Sequence, residues 1–245
     1  MDRSYLSDPA VVEASRAFVC ARLLTYEDAE EAALMRRLLP GRGSVNTAFT
    51  ILAPDGDRQL VRAGRSPRMA FGSARMMAAE LRRIAERFPG KQKVKPEELG
   101  LPLLDNLRLA MNVTECDAQQ LVVLRGSEKE LRSVSEHLRE LCWSEELIGR
   151  FLYVRAGDEP SWDKLDGVEG APDLGVLVVR TDPYGLTGEV VASAPSDIKL
   201  RKLRDLLVEA ASSFAPKPVD TRRLARKGRR QGVRWETELP LPRKR

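Results

Sequence analysis

Histidine is all but missing from this chain: His137 is the only one in 245 residues, and the three cysteines, Cys20, Cys116 and Cys142, are an odd number at wide spacing. One imidazole and scattered thiols argue against a Cys/His zinc site. An odd, dispersed set of thiols forms no closed disulfide framework. No run of eighteen apolar residues occurs, so no segment has the length of a membrane-spanning helix. The opening residues, MDRSYLSDPAVVEASRAF, are acidic-polar with no apolar stretch, so no signal peptide is expected and a cytoplasmic protein is. No pattern for a cofactor or a metal is present, and none is expected.

The composition, with 42% hydrophobic and 31% charged residues, suits a soluble globular protein that can bury a core. Domains commonly run to roughly 100–150 residues, so the length predicts two units. The charge is uneven. Residues 217–245 hold eleven Lys or Arg against three Asp or Glu, so the overall +5 leaves residues 1–216 acidic.

Residues 45–67, VNTAFTILAPDGDRQLVRAGRSP, read as a strand, a tight Asp55-Gly56 turn and a returning strand. A helix over 73–88 follows, with Met76, Met77, Leu81, Ile84, Ala85 and Phe88 at helical spacing and Pro89-Gly90 as its stop. Arg75, Arg82, Arg83 and Arg87 fall mostly off that stripe and form a solvated face. Upstream, Asp8-Pro9 starts a short helix that ends near Ala17. The apolar run 18–24, FVCARLL, predicts a largely buried strand with Cys20 as a small core residue. Thr25 and Asp28 form a capping-box pattern for a helix over 27–39. Residues 1–90 thus form a first unit, and the polar stretch 91–100 is a linker.

The second unit covers 101–214. A helix is predicted within LPLLDNLRLAMNV, a buried strand at 121–124, and a helix opened by the Ser127/Glu130 capping box and running to Cys142. Leu131, Val134, Leu138 and Leu141 are its apolar positions, and His137 is placed at the surface. Strands at 151–154, 175–180 and 189–193 follow, with a helical turn at 162–165. A long helix at 197–214 closes the unit, with Leu200, Leu203, Leu206, Leu207, Ala210 and Phe214 inward.

That order, with a terminal hairpin before a closing helix, resembles the thioredoxin fold, and residues 101–214 would cover one copy. The segment DPAVVEASRAFVCARLLTYED and the stretch GSVNTAFTILAPDG are similar to the second half of another. The resemblance implies an α/β protein of tandem thioredoxin-like units, with mixed sheets flanked by helices and the first unit incomplete. It places the fold-signature loops at Asn46 and Thr47 in the first unit and near Pro172 in the second. Thioredoxin chemistry needs two cysteines separated by two residues at a helix N-terminus, where amides and dipole lower the attacking thiol's pKa. Arg125, Gly126 and Ser127 stand there instead.

Dithiol exchange is therefore not expected, and a redox-inactive module that binds a protein partner or a second copy of itself is. Two alternatives stand beside it. One is a thiol-dependent oxidoreductase or peroxidase working through Cys116, read as lying in an acidic loop, or Cys142, read as a packing residue. The other uses the basic arm, 215–245. Arg222, Arg223, Arg226, Lys227, Arg229 and Arg230 surround phosphates or an acidic surface, and Trp235 stacks on a base or ring. The following WETELPLP can instead run back as a strap with Trp235 and Leu239 as structural anchors.

Overall fold

The computed structural model describes residues 3–21, 23–40, 48–90, 99–156, 160–215 and 220–240. The chain divides into two compact units: Met1–Lys93 together with Glu236–Arg245, and Val94–Trp235. Asn46 and Thr47 lie outside the described residues.

The first unit begins with α1 (Arg3–Leu6) and α2 (Pro9–Ser15). The Asp8 carboxylate accepts from the amides of Ala10 and Val11, and Pro9 occupies the first turn, where no N–H is needed. Asp28 caps α3 (Ala29–Leu38) in the same way, accepting from Glu30 and Glu31. Asp28 rather than Thr25 is therefore the cap. Strands β1 (Phe49–Leu52) and β2 (Gln59–Gly64) pair antiparallel with irregular register. At their turn the Asp55 carboxylate takes the amides of Asp57 and Arg58, and Gly56 adopts φ +75°. Helix α4 (Ala74–Arg87), capped by Ser73, buries Met77, Ala78, Leu81 and Ile84 against Tyr5, Val11, Ala14, Ile51 and Phe71. Met76 points outward.

The described residues of the expected strand at 18–24 form no strand. Val19 is 98% exposed and Cys20 is exposed as well, so Cys20 is not a core residue. The described part of this unit has only the β1–β2 sheet, so an apolar run without alternation finds no ladder to join. The Leu24 amide donates to the Glu31 carboxylate instead. The C-terminal strap belongs to this unit: the Leu239 amide donates to the Tyr26 carbonyl at 2.9 Å.

The second unit is a mixed six-stranded sheet. In chain order come β3 (Leu103–Leu104), α5 (Leu107–Asp117), β4 (Gln120–Arg125), α6 (Arg132–Cys142), β5 (Phe151–Ala156), β6 (Leu165–Asp166), β7 (Gly175–Thr181), β8 (Gly188–Pro195), α7 (Leu200–Ser213) and α8 (Thr221–Arg230). Across the sheet the order is β3-β5-β4-β7-β8-β6. Strands β3, β4 and β5 run parallel, β7 opposes β4, β8 opposes β7, and β6 runs parallel to β8.

Side-chain alternation sorts β4 onto two cores. Val122 and Leu124 face α6 and α7, packing with Leu138, Leu203 and Leu207. Leu121 and Val123 face α5, packing with Leu107, Ala110 and Met111. Covered on both faces, the central strands read as nearly continuous apolar runs. Ser127 and Glu130 do form the reciprocal box, with the Glu130 carboxylate accepting from the Ser127 amide at 3.0 Å. A turn then precedes the regular helix, and all four expected apolar positions of α6 are buried. His137 is half-buried rather than at the surface, and its Nδ1 is shut away from solvent.

Candidate functional site

The oxidoreductase alternative rests on the thiols. Cys142 ends α6 inside the core, where its thiol donates to the Arg139 carbonyl at 3.4 Å. Burial pushes its pKa up to about 11, away from thiolate character. Cys116 is exposed in the last turn of α5, not in a loop. Beside it, burial raises the carboxyl of Glu115, which accepts from the Thr181 hydroxyl at 3.3 Å. Helices α5 and α6 cover opposite faces of the sheet, so Cys116 and Cys142 are not brought together.

A second cluster gathers at the C-terminal ends of the parallel strands, where open α/β sheets usually present their ligand sites. Arg125 closes β4. Its guanidinium donates to the Pro172 carbonyl at 3.4 Å, lies 3.5 Å from the Asp173 carboxylate and sits 5.3 Å from the centre of the Trp162 ring. Gly126, at φ +135°, lets the next loop close in: a Cβ there would stand 2.9 Å from the Leu174 side chain and 3.4 Å from Leu131. Arg155, on β5, pairs with Glu128 at 3.4 Å. The Arg125–Gly126–Ser127 turn and the Pro172 loop are thus side by side. Every peptide bond among the described residues is trans, so Pro172 is not a cis-proline. Trp162, half-buried between them, had no sequence signal beyond a short helical turn.

The third cluster is α8. The basic segment is helical from Thr221 to Arg230, with the Asp220 carboxylate accepting from the amides of Arg222 and Arg223. Gly228 is buried against Tyr184; a Cβ would come within 3.0 Å of that ring. Trp235 then folds over the same tyrosine. Its indole N–H donates to the Tyr184 carbonyl at 2.9 Å, and the two rings meet edge-on at 6.2 Å. The Tyr184 hydroxyl donates to Gln231 at 2.7 Å. Trp235 is therefore an anchor rather than a free stacking platform, as the strap alternative had it.

Comparison with protein-family models, curated proteins and solved structures gives no match.

Near the N-terminal end of β4, Ala118, Gln120, Gly149, Arg150, Ala211 and Phe214 line a cavity of about 80 Å³. Substrate pockets are commonly about 300–1,000 Å³. The side-chain amide of Gln120 is fully buried there without a protein partner, a setting that suits one or two ordered waters. Among the described residues no group of three or more His, Cys, Asp or Glu side chains is placed to hold a metal, and no helix is long and apolar enough to cross a membrane.

Proposed function

We propose that this chain is a redox-inactive, thioredoxin-like module that binds an extended protein segment at the loops beyond β4 and β5. The observation that supports the reading is what stands at the end of β4, where the resemblance would put a dithiol. Arg125 stands there with a guanidinium already held between Trp162 and the Pro172–Asp173 loop. No thiol chemistry is available from that arrangement, but a recognition surface is. It offers an aromatic face, a cation, and a carboxylate that is 97% exposed and free to give way to an acidic group from a partner.

The element order supports the thioredoxin-like part. The run β3-α5-β4-α6-β5 is followed by the β7–β8 hairpin and the closing α7, with β6 as an addition. Both units also end their sheets in a hairpin followed by a helix, β1–β2–α4 in the first and β7–β8–α7 in the second.

The test is selection of peptides from a displayed random library on the immobilised full chain, followed by titration of the winners against Trp162→Ala and Arg125→Gln. Peptides that bind the parent and lose at least tenfold in both variants support the reading. Peptides indifferent to both, or an empty selection, refute it, and so does turnover in an insulin-disulfide reduction assay.

A further inference from the structure

We propose that α8 is a docking helix for the phosphodiester backbone of double-stranded nucleic acid, read without regard to sequence. This rests on α8 and its anchor alone and does not depend on the peptide-binding reading.

At 100° per residue, Arg222, Arg223, Arg226, Lys227, Arg229 and Arg230 fall on one arc of about 160°. All six are exposed, whereas Leu224 and Ala225 are half-buried and Gly228 is buried on the opposite side. The arc runs along roughly 12 Å of helix axis. Among the described residues no carboxylate stands within ion-pair distance of any of the six. Asp220, the acidic group at the start of the helix, is committed to capping it. The Arg223 amide leads in holding its carboxyl below the usual range, with the Arg222 amide and the charges of Arg226 and Arg223 adding to the effect. Neighbours three and four apart on the arc therefore repel one another, and among the described residues only Asp220, through its attraction to Arg223 and Arg226, offsets part of that repulsion. A polyanion relieves the rest.

Three features select the occupant. Five of the six cations are arginine, whose planar fork matches phosphate oxygens in pairs. The apolar side of α8 is only Leu224, Ala225 and Gly228, none of them exposed and Gly228 closed off by Tyr184, so it presents no broad apolar face to enter a bilayer as an interfacial helix requires. The Trp235 indole is tied to Tyr184 by its N–H and by an edge-on ring contact and is only 40% exposed, so the helix offers at most one partial ring face and not the succession of aromatic platforms on which single strands stack. What remains is a rigid row of cations for a regularly spaced backbone. The latch fixes that row before binding, so little ordering is left to oppose association.

The measurement is fluorescence anisotropy of the full chain with a labelled random-sequence DNA duplex across a series of salt concentrations. Parent protein should bind with log K falling linearly in log salt, at about 0.9 in slope per phosphate engaged. The triple variant Arg222→Gln/Arg226→Gln/Arg230→Gln leaves the Tyr184–Trp235 contact untouched. It should weaken low-salt binding by tenfold or more and flatten the slope by about 2 to 3. The corresponding lysine triple should retain most of both, which separates loss of charge from loss of fold. A single strand of equal length should bind no better than the duplex. Glutamine-triple binding equal to the parent's, or no parent binding at low salt, overturns the proposal. So does binding to polyglutamate or to vesicles rich in phosphatidylserine but not to the duplex.

Discussion

Replacing Trp235 with alanine removes the clasp that holds α8 to the β7–β8 turn. The indole is 40% exposed, so about three fifths of its surface is covered by Tyr184 and its neighbours. That is roughly 150 Å² withdrawn from water, or about 3 kcal/mol once partial burial in the undocked chain is allowed for. The indole N–H bond to the Tyr184 carbonyl adds at most about 1 kcal/mol, because that carbonyl regains water when the ring leaves. Nothing local replaces the loss. Isolated helices shorter than about 12–15 residues are marginal in water, and this one has ten, with a glycine at 228 and six like charges. At 1.4 kcal/mol per factor of ten, Trp235→Ala should lower the docked-to-undocked ratio by about two to three orders of magnitude. Hydrogen exchange read by mass spectrometry is the assay. Protection over Thr221–Arg230 should fall by about that factor while β7 amides keep theirs, since β7 is secured between β4 and β8. Unchanged protection over α8 in this variant would refute the latch and, with it, the claim that α8 is preorganised.

Two further predictions concern titration. Cys142 has a folded pKa pushed up to about 11 from a reference of 9.0, so the folded state holds its proton where the unfolded chain has lost it. Its contribution to stability is fully present below about pH 9 and is lost as pH rises toward 11. The urea midpoint should drop over that interval, and Cys142→Ala should blunt the drop; at neutral pH iodoacetamide should label Cys20 and Cys116 well before Cys142. Asp220 titrates the other way: its folded pKa is depressed, first by the Arg223 amide, so its cap is intact above the unfolded value near 3.8 and fails as pH falls through the folded one. Protection of α8 should decay on acidification earlier than that of the sheet, and Asp220→Asn should remove that pH dependence.

Local chemistry made several elements legible in the sequence. Asp55-Gly56 specified the first hairpin because only a short, backbone-bonding side chain followed by a glycine at positive φ closes that turn. Strand β4 and helix α6 were visible through uninterrupted apolarity and through the Ser127/Glu130 box. The strand expected at 18–24 failed because apolarity does not say whether a partner strand exists. Helix α8 was hidden for the opposite reason. Its inward side is only Leu224, Ala225 and Gly228, too small and too few to register as a stripe among arginines. Its partner, Tyr184, lies 51 residues from Trp235, and Arg125 likewise meets Pro172 across 47. Pairings of that separation come from topology, and no local pattern announces them.

The bond from the Leu239 amide to the Tyr26 carbonyl closes a loop that contains the whole of the second unit. Synthesis from the N-terminus places the buried core of the first unit, Tyr5 to Ile84, early and its last segment after the whole of the second unit. The second unit is complete when Trp235 has emerged, whereas the first still lacks its last segment. On the ribosome, the part that begins first finishes last. A release or stall before Leu239 leaves the β4–β5 loops and the α8 latch whole and strikes the unit at the far end of the message.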